Sequence, residues 1–392
     1  MTSDRRGSGG ERAAARVPLL DLALQNARIQ SDSHRAMQEV LDTGAFVLGP
    51  QVRHFEDAYA AFCGVEHAVG VGNGTDALHL ALRAVGVGPG DEVVVPANTF
   101  VATAEAVALA GAELVLVDCD EDLLIDVEAV AARVGPRTRA VAGVDLYGQV
   151  APFERLREVV GSRVVLLEDA AQSQGATRLG RMAGSCGDVA ATSFYPGKNL
   201  GAFGDAGAVT TDDPLVARRL RELRNHGGEA RYQHDVIGTN SRMDSLQAAV
   251  LTVKLEHLKE WNAERDAAAA RYADLLADLP GVRLPRVVPG NEHVWHLYVV
   301  RVAQRDAVQR RLAERGIDTG IHYPTPVHLL PAFAGLGLAA GSFPVAERAA
   351  REILSLPMFP GITAAQQERV VTELADAVDR AASAGDLARG LS

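Results

Sequence analysis

Lys198 stands in SFYPGKNLGAFGDAG (Ser193–Gly207), a segment of glycines, small residues and aromatics. A lysine usually keeps its ammonium in water and buries only its stem. A free lysine has a pKa near ~10.4, and making it a neutral nucleophile by burial needs a shift of roughly 3 units, about 4 kcal/mol. Holding the amine as a Schiff base to an aldehyde avoids that cost. Three further stretches offer chemistry. VGVGNGTDALHLAL sets a glycine-rich turn and Thr75 at a helix start, where free N–H groups and the positive helix end suit a phosphate. Its glycines at 70, 72 and 74 miss the GxGxxG spacing of dinucleotide sites. RVVLLEDAAQ puts Glu168 and Asp169 at the end of a buried strand, where a carboxylate can fix a cationic ligand atom. NTF places Phe100 after another strand. Each has a plainer reading alone: a snorkelling lysine, an ordinary helix cap at Thr75 or Asp169, and a core aromatic at Phe100. Together they fit one ligand, pyridoxal phosphate. Thr75 and Ser193 serve its phosphate, Asp169 its ring nitrogen, Lys198 its aldehyde and Phe100 its ring face.

These residues must be positioned by a scaffold, and the hydrophobic pattern supplies one. DALHLALRAVGV repeats apolar residues at helical spacing through Leu78, Leu82 and Val85. EVVVPA, AELVLVD and RVVLLED are short apolar runs separated by helical stretches. That alternation predicts an α/β fold with a mostly parallel sheet, helices on both faces, and ligands at the carboxyl ends of its strands. SLQAAVLTVKLEHLKEWNAERDAAAARYADLLADL reads as one long helix joining this domain to a smaller α+β domain. The expected division is a tail over 1–16, a large cofactor-binding domain over 17–255 and a small domain over 256–392.

The 392 residues, 47% hydrophobic, suffice for two packed domains. A net charge of −11 without a long basic run disfavours a nucleic-acid partner. Cys63, Cys119 and Cys186 form no CxxC pair and no zinc spacing, so no metal is expected and the thiols read as reduced in a cytoplasm. No signal-like or membrane-spanning run is found, which predicts no membrane partner and a cytoplasmic protein.

The ordered motifs VPLLDL, NGTDAL, PANTFVAT, YGQ, EDAAQ, SFYPGKNLGAFGDAG, GTNSRMDSLQAA and IHYPTPVHL resemble the DegT/DnrJ/EryC1/StrS sugar aminotransferases, a branch of the fold type I pyridoxal phosphate enzymes. The resemblance covers nearly all of residues 17–385. It implies that Lys198 holds the cofactor and moves protons between cofactor and sugar, and that Asp169 pairs with the ring nitrogen. It further implies Gln172 near the phenolic oxygen, Phe100 on the ring, and Gly74, Thr75, the amide of Asp76 and Ser193 at the phosphate. The counterpart of Asn240 in that family reaches the neighbouring subunit's phosphate, which implies a homodimer with shared sites. His322 and Tyr323 are implied near the sugar, and Arg231 and Arg242 on the nucleotide side.

Family dehydrases replace the lysine with histidine, so the lysine here favours transamination. The resemblance points to glutamate as donor and to C-3 of a dTDP-3-keto-6-deoxyhexose, in deoxyamino-sugar biosynthesis for natural products or surface glycans. Amination at C-4 is the same-class alternative. A pyridoxal phosphate dehydrase and a non-catalytic cofactor-binding regulator are the alternatives of other classes.

Overall fold

The structure, a computed structural model, describes residues 16–230 and 232–389, with side chains to 383. The tail expected over 1–16 therefore lies outside the described residues except for Arg16, which pairs with Asp318.

A seven-stranded sheet forms the centre of the molecule. Its strands are β1 (His67–Val71), β2 (Glu92–Pro96), β3 (Glu113–Val117), β4 (Thr138–Val144), β5 (Val165–Asp169), β6 (Val189–Ser193) and β7 (Gly207–Thr211). They lie in the order β1-β7-β6-β5-β4-β2-β3. All neighbours pair in parallel except β7, which runs antiparallel to both β6 and β1. The reason is local. A parallel return needs a crossover, usually a helix. The segment from Phe194 to Ala206, which carries Lys198, is an irregular loop, so the next strand comes straight back.

Side-chain alternation gives the sheet two apolar faces. Val93, Val95, Ala140, Ala142 and Leu167 pack under the Gly74–Ala84 and Val101–Leu109 helices. Val94, Val141 and Leu166 pack on the other face with Phe153 and Leu156. The Phe153–Val160 helix carries those two residues, so both faces are covered.

The long helix is continuous over Ser245–Leu276. Its first half, through Ala248, Leu251 and Leu258, joins a core with Phe55, Tyr59 and Phe194. Its second half, through Ala268, Ala269, Tyr272 and Leu276, joins a separate core with Tyr298, Val300, Leu354 and Leu374. One helix thus serves both cores, which is why its sequence shows no glycine break. The second core is built on a small sheet of Val282–Arg283, Tyr298–Val302 and Ile353–Leu356. Val17 also packs there, bridged to Ile317.

Candidate active site

The carboxyl ends of β1, β2, β4, β5 and β6 open onto one cavity of about 680 Å³. Gly74, Thr75, Asp76, Phe100, Asp169, Gln172, Ser193, Lys198, His322 and Tyr323 all line it. Residues more than two hundred positions apart in the chain meet there because loops at one edge of a parallel sheet converge.

The turn after β1 leads into the Gly74–Ala84 helix, whose N-cap is Asn73. Asn73 Oδ1 accepts the Asp76 amide at 2.8 Å. That capping bond leaves the amides of Gly74 and Thr75, at the first two helical positions, without an intrahelical partner. Gly74 is packed tightly: a Cβ there would stand 2.5 Å from Ser193 Cβ and 3.0 Å from Ser193 Oγ. The close approach brings the Ser193 hydroxyl to the helix start, so amides, hydroxyl and helix dipole share one anion-sized cradle. The Asp76 carboxylate is tied back, accepting from Ser241 Oγ at 2.6 Å.

Asp169 closes β5 and is 6% exposed. Its oxygens accept from Thr103 Oγ1 at 2.8 Å and from the Ala171 amide at 3.2 Å. Burial pushes this carboxyl up, while the Thr103 hydroxyl, the Ala171 amide and the Lys198 charge pull it down. Lys198 lies on the loop after β6, fixed by its amide on Tyr195 O at 2.8 Å. Burial pulls its ammonium down to about 8, against the opposing influence of Asp169. At pH 7 roughly a tenth of such a lysine is free amine, enough to act as a base or nucleophile.

Gln172 is pinned at both ends. Its Oε1 accepts the Tyr147 amide at 2.7 Å and its Nε2 donates to Tyr323 Oη at 3.0 Å. Tyr147 Oη in turn donates to the His322 carbonyl. Phe100 is 48% exposed at the start of the Val101–Leu109 helix, so the core reading of this aromatic does not hold. Its ring centroid lies 5.1 Å from that of Tyr323, and the two rings form adjoining cavity walls. His322 Nδ1 bonds Ser355 Oγ at 2.8 Å. Burial, helped by the Lys198 charge, holds His322 down to about 4, so it is neutral in ordinary conditions.

Two of the expected residues stand apart from the cavity. Asn240 is exposed and bridges Asn225, and it does not line the cavity. Its neighbour Ser241 is buried and bonds Asp76 and the Gly72 amide. Arg242 donates to Asn225 Oδ1 at 3.1 Å, also away from the cavity wall. Arg231 lies outside the described residues. The structure adds wall residues not picked from sequence: Leu19, Leu20, Thr99, Tyr195, Asp205 and His296. Leu19 was legible only as part of VPLLDL, and His296 looked like one polar residue in a strand-like run.

The residues fit pyridoxal phosphate. Asp169 is a buried carboxylate with only a hydroxyl and one longer amide bond, which suits a protonated ring nitrogen. Lys198 Nζ has no hydrogen-bond acceptor among the described residues, which suits covalent attachment. The Gly74–Thr75–Ser193 cradle suits the phosphate.

A model of the DegT/DnrJ/EryC1/StrS aminotransferase family matches residues 27–375. The chain belongs to that family. Its members provide close relatives. The chain is 49% identical to a dTDP-3-amino-3,4,6-trideoxy-alpha-D-glucose transaminase of Streptomyces venezuelae, over 93% of this chain and 98% of the relative. Among solved structures it is similar to S. venezuelae DesV in complex with a ketimine intermediate, with a TM-score of 0.90 and 48% identity, covering 93% of this chain and 98% of that one. It is also similar to ntda of Bacillus subtilis with bound cofactor PMP, with a TM-score of 0.86 and 31% identity, covering 94% and 86% of the two chains. The expected fold type I architecture and aminotransferase activity are both met: this family member is a sugar aminotransferase.

Proposed function

We propose that this aminotransferase uses pyridoxal phosphate to move an amino group from glutamate to C-3 of a dTDP-3-keto-6-deoxyhexose, in deoxyamino-sugar biosynthesis. The observation that carries the reading is the convergence of Lys198, Asp169 and the Gly74–Thr75–Ser193 cradle on one cavity. The dTDP-3-amino sugar named for the 49% identical relative supports the substrate. Bound pyridoxal phosphate supplies an aldehyde to carry nitrogen and a ring that takes up the electron pair left when a carbon loses its proton.

The protein does the rest. Lys198 would hold the aldehyde, Asp169 the ring nitrogen, and Gly74, Thr75 and Ser193 the phosphate. Phe100 would cover the ring face. Gln172 holds the Tyr323 hydroxyl through the 3.0 Å bond. Lys198, brought down to about 8, would serve as the base that moves the proton at the reacting carbons. His322 is held neutral, so it can offer a hydrogen bond to a sugar hydroxyl without competing for that proton. The apolar wall formed by Leu19, Leu20, Leu146 and Leu297 limits water around the reacting carbon.

The reading extends to a homodimer. Phe100 and Tyr195, which line the cavity, are 48% and 58% exposed, apolar surface that a second chain would cover. In a two-fold pair Asn240 of one chain would reach the other's phosphate cradle, with Arg231 and Arg242 on the nucleotide side. Among the described residues the cysteines are unpaired and no helix is long and apolar enough to cross a membrane. The free thiols support a reducing, cytoplasmic setting.

Two measurements test the proposal. Borohydride reduction of the yellow protein places the cofactor adduct on Lys198; an adduct on another lysine refutes the assignment. Product NMR after incubation with glutamate and paired keto sugars places nitrogen at C-3. Efficient amination at C-4 alone overturns the regiochemistry.

A further inference from the structure

The Asp76 carboxylate poses a problem for the phosphate cradle. Asp76 stands at the third position of the Gly74–Ala84 helix and lines the same cavity as Gly74, Thr75 and Ser193. A carboxylate in the first turn is drawn to the free amides and the positive end of its own helix. Those are the groups that a phosphate needs. Left free, the Asp76 carboxylate would compete with the phosphate for them, and repel it as a like charge.

One hydroxyl prevents that. Ser241 Oγ lies between the Gly72 amide at 3.0 Å and Asp76 Oδ2 at 2.6 Å. Its partners settle the polarity of both bonds. A backbone amide only donates, so Ser241 Oγ accepts from Gly72. Its single proton then goes to the carboxylate, which only accepts. Ser241 is 2% exposed and is not on the cavity wall, so it can act on a ligand only through Asp76. The hydroxyl is placed from the sheet edge. The Ser241 amide donates to Arg224 O at 2.9 Å and the Thr239 amide to Leu223 O at 2.8 Å. Arg224 Nη1 in turn donates to Gly70 O at 2.6 Å and to Glu56, beside the glycine turn. The seat is close-fitting: a Cβ on Gly72 would stand 3.4 Å from Ser241 Oγ and 3.5 Å from Asp76 Oδ2.

We propose that Ser241 is a positioning residue for the cofactor phosphate: it holds the Asp76 carboxylate off the Gly74–Thr75–Ser193 cradle and so sets the site's preference for a phosphate-bearing ligand. Asp76 is tied at two points, its amide on Asn73 Oδ1 at 2.8 Å and its carboxylate on Ser241. The cradle amides of Gly74 and Thr75 are thereby left to the ligand. The inference rests on the cradle assigned under the proposed function.

The test compares two probes, pyridoxal phosphate and pyridoxal, which differ only in the phosphate. Fluorescence titration of the full-length chain freed of cofactor gives both dissociation constants for each variant. Their ratio cancels any loosening that weakens ring and phosphate binding alike. Ser241→Ala leaves the carboxylate unheld and is expected to lower the preference for pyridoxal phosphate over pyridoxal about tenfold. Adding Asp76→Asn to Ser241→Ala removes the charge and is expected to bring the ratio back to within about threefold of the parent's. Asp76→Asn alone keeps the test decisive if Ser241→Ala does not fold: its ratio should match the parent's or favour the phosphate further. An unmoved ratio in Ser241→Ala, the same loss in the double variant, or a lost phosphate preference in Asp76→Asn alone overturns the proposal. Ser193→Ala separates this failure from that of the cradle. If it lowers the preference while Ser241→Ala does not, only the role of Ser241 falls. If neither does, the cradle assignment falls with it.

Discussion

Gly74→Ala tests whether the phosphate cradle is as tight as the structure makes it. Two effects oppose each other. Alanine is the better helix former by up to ~1 kcal/mol in a helix interior, and by less at a first helical position. Against that, the new Cβ would meet Ser193 Cβ at 2.5 Å, Oγ at 3.0 Å and Cα at 3.1 Å. Rotating Ser193 moves only its hydroxyl. Cβ and Cα follow the backbone, so the helix start and the end of β6 must separate. Overpacking of this kind costs about 1–3 kcal/mol, which exceeds the propensity gain. The separation pulls the Gly74 and Thr75 amides away from Ser193, the three groups assigned to one phosphate. Losing that complementarity is expected to raise the pyridoxal phosphate dissociation constant by about 5- to 150-fold. Fluorescence titration of the apoprotein measures it, with urea denaturation of the same sample to record any shared loss of stability. Gly88→Ala is the control, because a Cβ there meets nothing within 4 Å and its φ is not in the left-handed region. It should change stability by less than about 0.5 kcal/mol. If Gly74→Ala binds cofactor as tightly as the parent and is as stable, the reasoning fails.

The remaining predictions concern other parts of the molecule. His322→Ala should lower kcat/KM for the keto sugar by about 1–3 kcal/mol while leaving the glutamate half-reaction nearly intact, as stopped-flow absorbance of each half would record. Mixed Lys198→Ala and Asn240→Asp chains should regain activity, because one site in each hybrid has both native residues; full activity in an obligate monomer refutes a shared site. Lys254 is 2% exposed, bonds Gly201 O at 2.7 Å, and is brought down to about 8 by burial alone. Below that pH it is charged in both folded and unfolded states and bears the burial cost. Between about 8 and the ordinary lysine value the unfolded chain binds more protons, so stability rises with pH. Urea denaturation should show the parent gaining on Lys254→Met as pH climbs through that window, and parallel curves would refute it.

Much of this site was legible because its residues sit where period and punctuation change. The apolar runs at β2, β3 and β5 fixed the sheet, and each chemical residue followed the end of a run. Less legible were contacts made across the chain. Nothing near Thr103 in sequence says that its hydroxyl meets Asp169, since that bond depends on the strand order. The antiparallel turn of β7 was hidden for a related reason: GAVTT reads as any buried strand, and its direction is set by the irregular loop before it. Lys254 and Asn262 lie on the long helix and are buried or half-buried. They are in fact held under the Lys198 loop and the Gln174 turn, contacts that exist only because the helix runs beneath both.

Glu168 and Asp169 show where sequence stops and geometry decides. The pair sits at the end of β5, and either carboxylate could serve a cation. Alternation along a strand sends them to opposite faces. Asp169 shares the parity of Leu167, which packs with Leu78, Ala102, Val144 and Leu297 in the core that borders the cavity. Glu168 shares the parity of Leu166, on the far face. There its oxygens accept the amides of Gly184, Cys186 and Gly187 at 2.6, 2.7 and 3.0 Å. It is wholly buried, held by backbone donors on the face away from the cavity, and it does not line the cavity wall. Asp169, one residue on, keeps a thinner set of partners and the nearby Lys198 charge. A shift of one residue in the β5 register would exchange these fates, because every side chain would change face. The parallel pairings of Val144 with Asp169 and of Asp169 with Ala191 hold that register from both sides. The chemistry of the site is in this sense a property of sheet pairing.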